Sequence, residues 1–218
     1  MHAQSSGGPH DELQALTETH VIGELAAGVH IEQVTAERWD GEIYPLARSL
    51  VTTTGFNHRE VLTSDERKRC GVLDAALGAT PYVHRLVFTE GGRIVAGYWG
   101  EQEGRGRYHM CLTAFVPEVR GRGLYSAFLQ RILRWAGDAG FLEVVSKHVA
   151  DNNAVLVPKL KAGFVVSGFE ITPNLGLLLQ LRYVFAPLLR EVHAYRVGSL
   201  ADGGEVLRAR GALFPVEP

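Results

Sequence analysis

Arginine and glycine alternate in one short segment of the chain, Arg120-Gly121-Arg122-Gly123, directly before an amphipathic stretch. Glycine has no Cβ, so a bulky anion can approach the backbone closely. The first N–H groups of a helix have no intrahelical acceptor, and they carry the positive end of the helix dipole. The segment therefore predicts a cradle for a phosphate or diphosphate, in which the arginines bind the anion or pair with structural carboxylates. Taken alone, the same residues are equally compatible with a flexible basic loop.

The residues on either side of this loop favour the anion cradle. Residues 107–116 are typical of a β-strand, and Pro117 ends the hydrogen bonding of that strand. Residues 121–139 repeat apolar side chains on one helical face, and Gly140 ends the pattern. A strand, a glycine-rich turn and a helix therefore follow one another, which is the context that an anion cradle requires.

A second polar motif lies downstream of the loop. Asn152 stands in an Asp-Asn-Asn run that can cap a helix extending to Ala162, and Gly163-Phe164 follows that helix directly. Together with the Arg120–Tyr125 loop, these residues resemble the signature of the GCN5-related N-acetyltransferase (GNAT) superfamily. The resemblance covers residues 29–185 in the order of elements. It implies an N-acyltransferase that moves an acyl group from acetyl-CoA, or another acyl-CoA, directly to an amine acceptor.

The resemblance also implies which residues bind the cofactor. Backbone groups of Phe115 and Val116 would bind the pantetheine arm and the thioester carbonyl, and Asn152 would hydrogen-bond the arm. A V-shaped gap between the strand ending at Val116 and the strand ending at Lys147 would admit the arm. The diphosphate would be held by the backbone amides of the loop and the first helical turn, which are those of Arg120, Gly121, Arg122, Gly123, Leu124, Tyr125 and Ser126.

Some positions depart from the family pattern. Tyr125 stands where glycine or alanine is usual, so its side chain must point away from the phosphates. Lys159 stands where the family often has a tyrosine that protonates the leaving thiolate. A lysine there could donate a proton or pair with a phosphate, but we interpret it as a solvated helix residue. Pro158 lies in the same helix and should bend it.

A general base for the acceptor amine should titrate near neutrality, which favours histidine. The catalytic candidates are His109, on the strand that leads into the loop, and His148, at the end of the next strand. Each histidine is also compatible with a structural role, and a water relay or the carboxylates of Glu101 and Glu118 are alternatives. The polar residues 57–60 suit either an acceptor pocket or a capping loop.

The order of elements predicts an α/β (α+β) fold. We expect a GNAT-like mixed, mostly antiparallel central sheet of about six to seven strands, with helices on both faces. The predicted strands are 29–34, 82–89, 93–101, 107–116, 142–147, 164–171 and 175–185, and the predicted helices are 10–27, 39–51, 63–78, 121–139 and 153–162.

The chain divides into three predicted regions. Residues 1–28 form an N-terminal region, with a tail expected to be disordered and a helix that packs on the main domain. Residues 29–185 form the acyl-CoA N-acyltransferase domain. Residues 186–218 form a C-terminal extension, in which a strand over 192–197 covers a sheet edge or builds a homodimer interface.

Composition excludes several classes of function. The chain has 218 residues, a formal charge of -2 and two cysteines, which indicates a cytoplasmic protein without a disulfide framework. No global field would draw it onto nucleic acid, and no apolar run is long enough to cross a membrane. We expect no metal site from the spacing of His, Cys and Asp residues.

Two other classes of protein stay open at this stage. The family's tyrosine is replaced by Lys159, which favours a catalytically silent acyl-CoA-binding regulatory module. A structural dimerisation domain with a vestigial loop would bind no CoA.

Overall fold

The structure is a computed structural model that describes residues 8–50, 81–103, 106–185 and 190. The predicted helix 63–78, the polar residues 57–60 and the predicted strand 192–197 lie outside these described residues.

A mixed sheet forms the centre of the described structure. Its eight strands lie in the order β1-β2-β3-β4-β5-β6-β8-β7, and every neighbouring pair is antiparallel except β5 and β6. The predicted mixed, mostly antiparallel sheet is therefore confirmed. The strands are β1 (Gly23–Ala26), β2 (Val29–Gln33), β3 (Val83–Glu90), β4 (Arg93–Glu103), β5 (Arg107–Phe115), β6 (Glu143–Val149), β7 (Val165–Thr172) and β8 (Gly176–Val184).

Helices cover both faces of this sheet. α1 and α4 lie on one face, and α3 lies on the other face with the π-helical turn that precedes it. α4 contributes seven buried side chains to the main core, because they repeat on one face of the helix. The helices are α1 (Pro9–His20), α2 (Ala36–Arg38), a π-helical turn (Trp39–Ile43), α3 (Tyr44–Leu50), α4 (Leu124–Asp138) and α5 (Asn153–Lys161).

One predicted helix is shorter than the sequence indicated. Residues 10–27 were expected to form a single helix, but α1 ends at His20 and Gly23–Ala26 form β1. Gly23 has a φ of 102°, which a helix does not accommodate. The segment instead pairs with β2, and this pairing adds the eighth strand to the sheet.

A chain of buried polar side chains joins α1 to three strands. The Thr17 hydroxyl lies 2.7 Å from His84 Nε2, His84 Nδ1 lies 2.6 Å from the Tyr108 hydroxyl, and that hydroxyl lies 2.8 Å from the Tyr98 hydroxyl. Burial lowers the pKa of His84 to about 3, so the imidazole is neutral and suited to hydrogen bonding. These bonds satisfy polar groups that would otherwise be costly inside the core.

Gly100 makes this polar chain possible by leaving room for it. A Cβ at Gly100 would lie 2.2 Å from the Tyr108 hydroxyl and 2.3 Å from the Tyr98 hydroxyl, so both tyrosines would have to move. We expect Gly100→Ala to lower the free energy of unfolding by about 1–3 kcal/mol, as overpacking of a core does. Urea denaturation measures this change.

The control for this prediction is Gly41→Ala, because a Cβ at Gly41 meets no atom within 4 Å. That variant should be neutral or slightly stabilised, since alanine favours helical conformations over glycine. Equal stability of the Gly100→Ala variant and the unchanged protein would contradict the packing argument.

Candidate functional site

The two parallel strands of the sheet separate part of the way along their length. β5 and β6 pair only up to His109 and Val145. Beyond this point β5 stays paired with β4 as far as Phe115, while β6 stays paired with β8 as far as Val149. A wedge-shaped gap therefore opens between the two strands, on the side towards the arginine-glycine loop.

The register of β4 and β5 decides which backbone groups of β5 face the gap. Val116 N–H donates to Val95 O of β4 at 2.9 Å. This N–H group therefore points towards β4 and away from the gap. Bonded and non-bonded positions alternate along an antiparallel pair, so Phe115 and Thr113 direct their backbone groups towards the gap. Thr113 was not predicted from the sequence, because only the observed register gives the direction of its N–H and C=O.

The arginine-glycine loop leads from β5 into α4 with an open backbone. Gly121 and Gly123 have φ values of 77° and 78°, which disfavour side chains, and a Cβ at either position would meet no atom within 4 Å. Gly123 is the N-cap of α4 and has no side chain to accept from the first N–H groups of that helix. Within the described residues no hydrogen bond from the N–H groups of the first helical turn is found, and such unpaired groups are what an anion-binding helix start requires.

Both arginine side chains of the loop bind other parts of the protein. The Arg122 guanidinium donates twice to the Glu90 carboxylate, at 2.7 and 3.1 Å, and this pairing lowers the pKa of Glu90. Arg120 Nε donates to the Phe115 carbonyl at 2.9 Å. Of the two roles that the sequence left open for Arg122, the structure shows the pairing with a structural carboxylate. The backbone N–H groups are thus the principal anion ligands that the loop offers.

Tyr125 lies in the first turn of α4. Its hydroxyl is buried and makes no hydrogen bond within the described part of the chain, and burial raises the pKa of the phenol. The aromatic side chain therefore packs inwards, as expected for a bulky residue beside an anion cradle.

Lys159 on α5 is fully buried, so its interpretation as a solvated helix residue is wrong. Its Nζ donates to Ser146 Oγ of β6 at 2.6 Å, lies 3.5 Å from Met110 Sδ of β5, and stands 4.8 Å from the centre of the Phe164 ring. The ammonium group thus contacts both strands just beyond the point where they separate. Burial lowers the pKa of Lys159 to about 7.

The two candidate catalytic histidines lie on the two strands that border the gap. Burial lowers the pKa of both imidazoles, to about 3 for His148, where the charges of Lys159 and His109 lower it further. His148 Nε2 is buried and has no hydrogen-bond partner within the described residues. His109 pairs with Glu101 of β4 across the sheet, and these two residues lie together with Cys111.

Asn152 is the N-cap of α5, but its side chain does not accept a capping hydrogen bond. Its carbonyl accepts the first intrahelical hydrogen bond, from Leu156 N–H at 3.0 Å. The helix therefore does not hold the amide side chain, which makes no hydrogen bond among the residues that the structure describes.

The comparison with protein families identifies the class of this protein. A model of the acetyltransferase (GNAT) family matches residues 32–164, which is more than half of the chain. The chain therefore belongs to the GNAT family, and the resemblance recognised in its sequence is confirmed. A comparison with curated proteins gives no match.

Several solved structures share this fold. A GCN5-related N-acetyltransferase from Kribbella flavida has a TM-score of 0.53 at 19% identity, and covers 73% of this chain and 99% of its own. Ard1 from Thermoplasma volcanium has a TM-score of 0.52 at 17% identity, with the same coverage of 73% and 99%. The Salmonella typhimurium protein yncA, solved with its cofactor acetyl-CoA, has a TM-score of 0.50 at 16% identity, with 73% and 95% coverage.

Within the described residues, no helix has the length and apolar character needed to span a bilayer.

The buried lysine should make the stability of the protein depend on pH. The pKa of Lys159 is about 7 in the folded chain and near its ordinary value of 10.5 in the unfolded chain, so the unfolded chain binds more protons between these values. The free energy of unfolding therefore rises with pH between about 7 and 10.5. Below about pH 7 the buried lysine is charged and destabilises the fold by its full amount. Lys159→Met removes the titrating group and keeps a similar side-chain length.

We expect Lys159→Met to be more stable than the unchanged protein near neutral pH. This advantage should shrink by about 1.4 kcal/mol per pH unit between about pH 7.5 and 9.5, since each unit of pKa corresponds to that free energy. Denaturation curves of both proteins at several pH values measure the difference. An advantage that stays constant with pH would show that Lys159 does not titrate in this range.

Proposed function

We propose that the protein is an acyl-CoA-dependent N-acyltransferase that transfers an acyl group, acetyl in the simplest case, to an amine acceptor. The observation that carries the proposal is the gap between β5 and β6, which opens beside a helix start with an uncapped, glycine-lined backbone. A long, flexible thioester that ends in a diphosphate fits this pair of features. Its arm can lie between the strands while its phosphates bind the N–H groups at the helix start.

The residues that would hold the cofactor follow from this geometry. The backbone amides from Arg120 through Ser126 bind the diphosphate, and the pairing of Arg122 with Glu90 keeps the loop in position. The backbone groups of Phe115 and Thr113 that face the gap bind the pantetheine arm, and the amide of Asn152, which does not cap α5, binds it from the β6 side. The thioester supplies an activated acyl carbon.

The acceptor amine must be neutral to attack the acyl carbon. We assign the removal of its proton to His109. This imidazole is neutral at physiological pH because burial lowers its pKa. His109 lies at the closed end of the gap and beside Glu101, whose carboxylate can stabilise the charge that the imidazole gains. His148 is a weaker candidate, since an imidazole with a pKa of about 3 is a poor base at neutral pH.

The leaving thiolate needs a proton or a neighbouring positive charge. Lys159 occupies the position of the family's tyrosine, and its Nζ stands between the two strands that border the gap. A pKa of about 7 lets this group donate and recover a proton near neutrality. We assign the stabilisation of the thiolate to Lys159.

Gly123→Val tests the cofactor loop. A branched side chain at this position would stand where the diphosphate binds the helix start, so we expect the affinity for CoA to fall by roughly ten- to a hundredfold, as the loss of hydrogen bonds to a charged group implies. Titration calorimetry with CoA measures the affinity.

Gly28→Val is the matched control, because Gly28 has the same φ of 78° and the same open surroundings but lies in the turn between β1 and β2. Its backbone strain is equal, and its affinity for CoA should not change. The loop assignment is refuted if Gly123→Val binds CoA as tightly as the control.

A catalytically silent acyl-CoA-binding module is the alternative. The position of Lys159 inside the gap, in place of a tyrosine, is the observation that favours it. Such a module would bind CoA without releasing thiol from acetyl-CoA in the presence of any amine. Steady-state thiol release with a panel of small amines and peptides therefore separates the enzyme from the module.

His109→Gln tests the assignment of the base in the same assay. We expect turnover to fall by roughly two to four orders of magnitude, the usual contribution of a general base, while the affinity for CoA is unchanged. His148→Gln, on the other strand of the gap, should retain most of the activity. A larger loss in His148→Gln than in His109→Gln would reverse the assignment.

A further inference from the structure

Three side chains that commonly bind metal ions lie together on β4 and β5. Their ligand atoms, a carboxylate oxygen of Glu101, an imidazole nitrogen of His109 and Sγ of Cys111, all lie within 4.8 Å of one another. All three side chains are half-buried. They are therefore not the exposed carboxylates that cluster on many protein surfaces without a ligand.

Strand register explains why these residues meet. Glu101 lies directly opposite His109 in the antiparallel pair, so their side chains project from the same face of the sheet. The register shifts beside them, between Trp99 and Gly100, so one residue of β5 is additional. That bulge includes Cys111 and brings its thiol beside His109, where Sγ lies 3.6 Å from the His109 carbonyl.

We propose that Glu101, His109 and Cys111 form a zinc-binding site on the sheet face that carries α3. A nitrogen, a sulfur and an oxygen ligand suit a borderline-soft dication, and three protein ligands leave the fourth tetrahedral position open. Zinc–ligand bonds of 2.0–2.3 Å place tetrahedral ligand atoms about 3.5 Å apart. The present separations, which are at most 4.8 Å, thus require a contraction of at most about 1.3 Å, which side-chain rotations can supply.

The surroundings of Cys111 disfavour a nucleophilic role for this cysteine. Burial and the carboxylates of Glu101 and Glu103 raise the pKa of the Cys111 thiol, so a free thiolate is disfavoured. Burial also raises the pKa of Glu101, although Arg85 opposes this shift. A dication placed among these groups reverses both effects, because it replaces the lost solvation and offsets the negative charges.

Zinc binding at this site needs no oxidant or reductant. The imidazole of His109 binds through a lone pair, and the carboxylate of Glu101 binds as an anion. The Cys111 thiol releases one proton to solvent as its sulfur binds the metal. The site does not depend on the proposed acyltransferase activity, although zinc on His109 would compete with its role as a base.

The test is a titration of the tag-free 218-residue chain with Co²⁺, in the absence of acyl-CoA. Cys70→Ser makes Cys111 the only thiol, and the unchanged protein is titrated in parallel. We expect one Co²⁺ per chain, with a thiolate-to-cobalt charge-transfer band in the near ultraviolet that Zn²⁺ abolishes by displacement. Cys111→Ser should lose the band, and His109→Gln and Glu101→Gln should each weaken binding at least about tenfold.

Glu103→Gln is the matched control, because Glu103 lies on the same strand but outside the cluster of three ligands. Glu103→Gln should keep the charge-transfer band and bind Co²⁺ more tightly than Glu101→Gln does. The proposal is overturned if no charge-transfer band forms, or if the band persists with unchanged affinity in both His109→Gln and Glu101→Gln. An equal loss in Glu103→Gln and Glu101→Gln would overturn Glu101 as a ligand.

Discussion

The separation of β5 and β6 is the constraint on which the rest of the site depends. Each strand keeps a full antiparallel partner on its outer side, so the sheet stays intact while the inner pairing stops at His109 and Val145. Backbone groups left without a partner inside a protein are costly unless water or a ligand meets them. A polar, extended ligand that pairs with these backbone groups would therefore stabilise the gap. In the proposed function this ligand is the arm of an acyl-CoA.

Helix α5 supplies the side chain that lies between the separated strands. Lys159 reaches Ser146 on one strand and Met110 on the other, so a single cation contacts both sides of the gap. Its burial lowers its pKa. The protonated lysine therefore destabilises the fold, while a pKa near neutrality suits the group to proton transfer. Active sites commonly combine these two properties, since the environment that tunes a pKa also destabilises the charged form.

The two faces of the sheet carry different sets of polar side chains. The face covered by α4 carries the lysine, the buried tyrosines and the histidine that links α1 to the strands. The face that carries α3 presents Glu101, His109 and Cys111, which the β5 bulge brings together. Lys159 and His109, to which the proposed function gives separate proton transfers, thus lie on opposite faces of the sheet.

The sequence alone determined the family, the order of most elements and the position of the glycine-rich loop at the start of α4, because glycine spacing and hydrophobic periodicity are local properties. It also placed His109 and His148 on the correct strands. It could not show that Lys159 is buried, that Arg122 pairs with Glu90, or that residues 23–26 form a strand. Those features depend on strand register and on which residues distant in the chain pack together, and only the tertiary structure decides these.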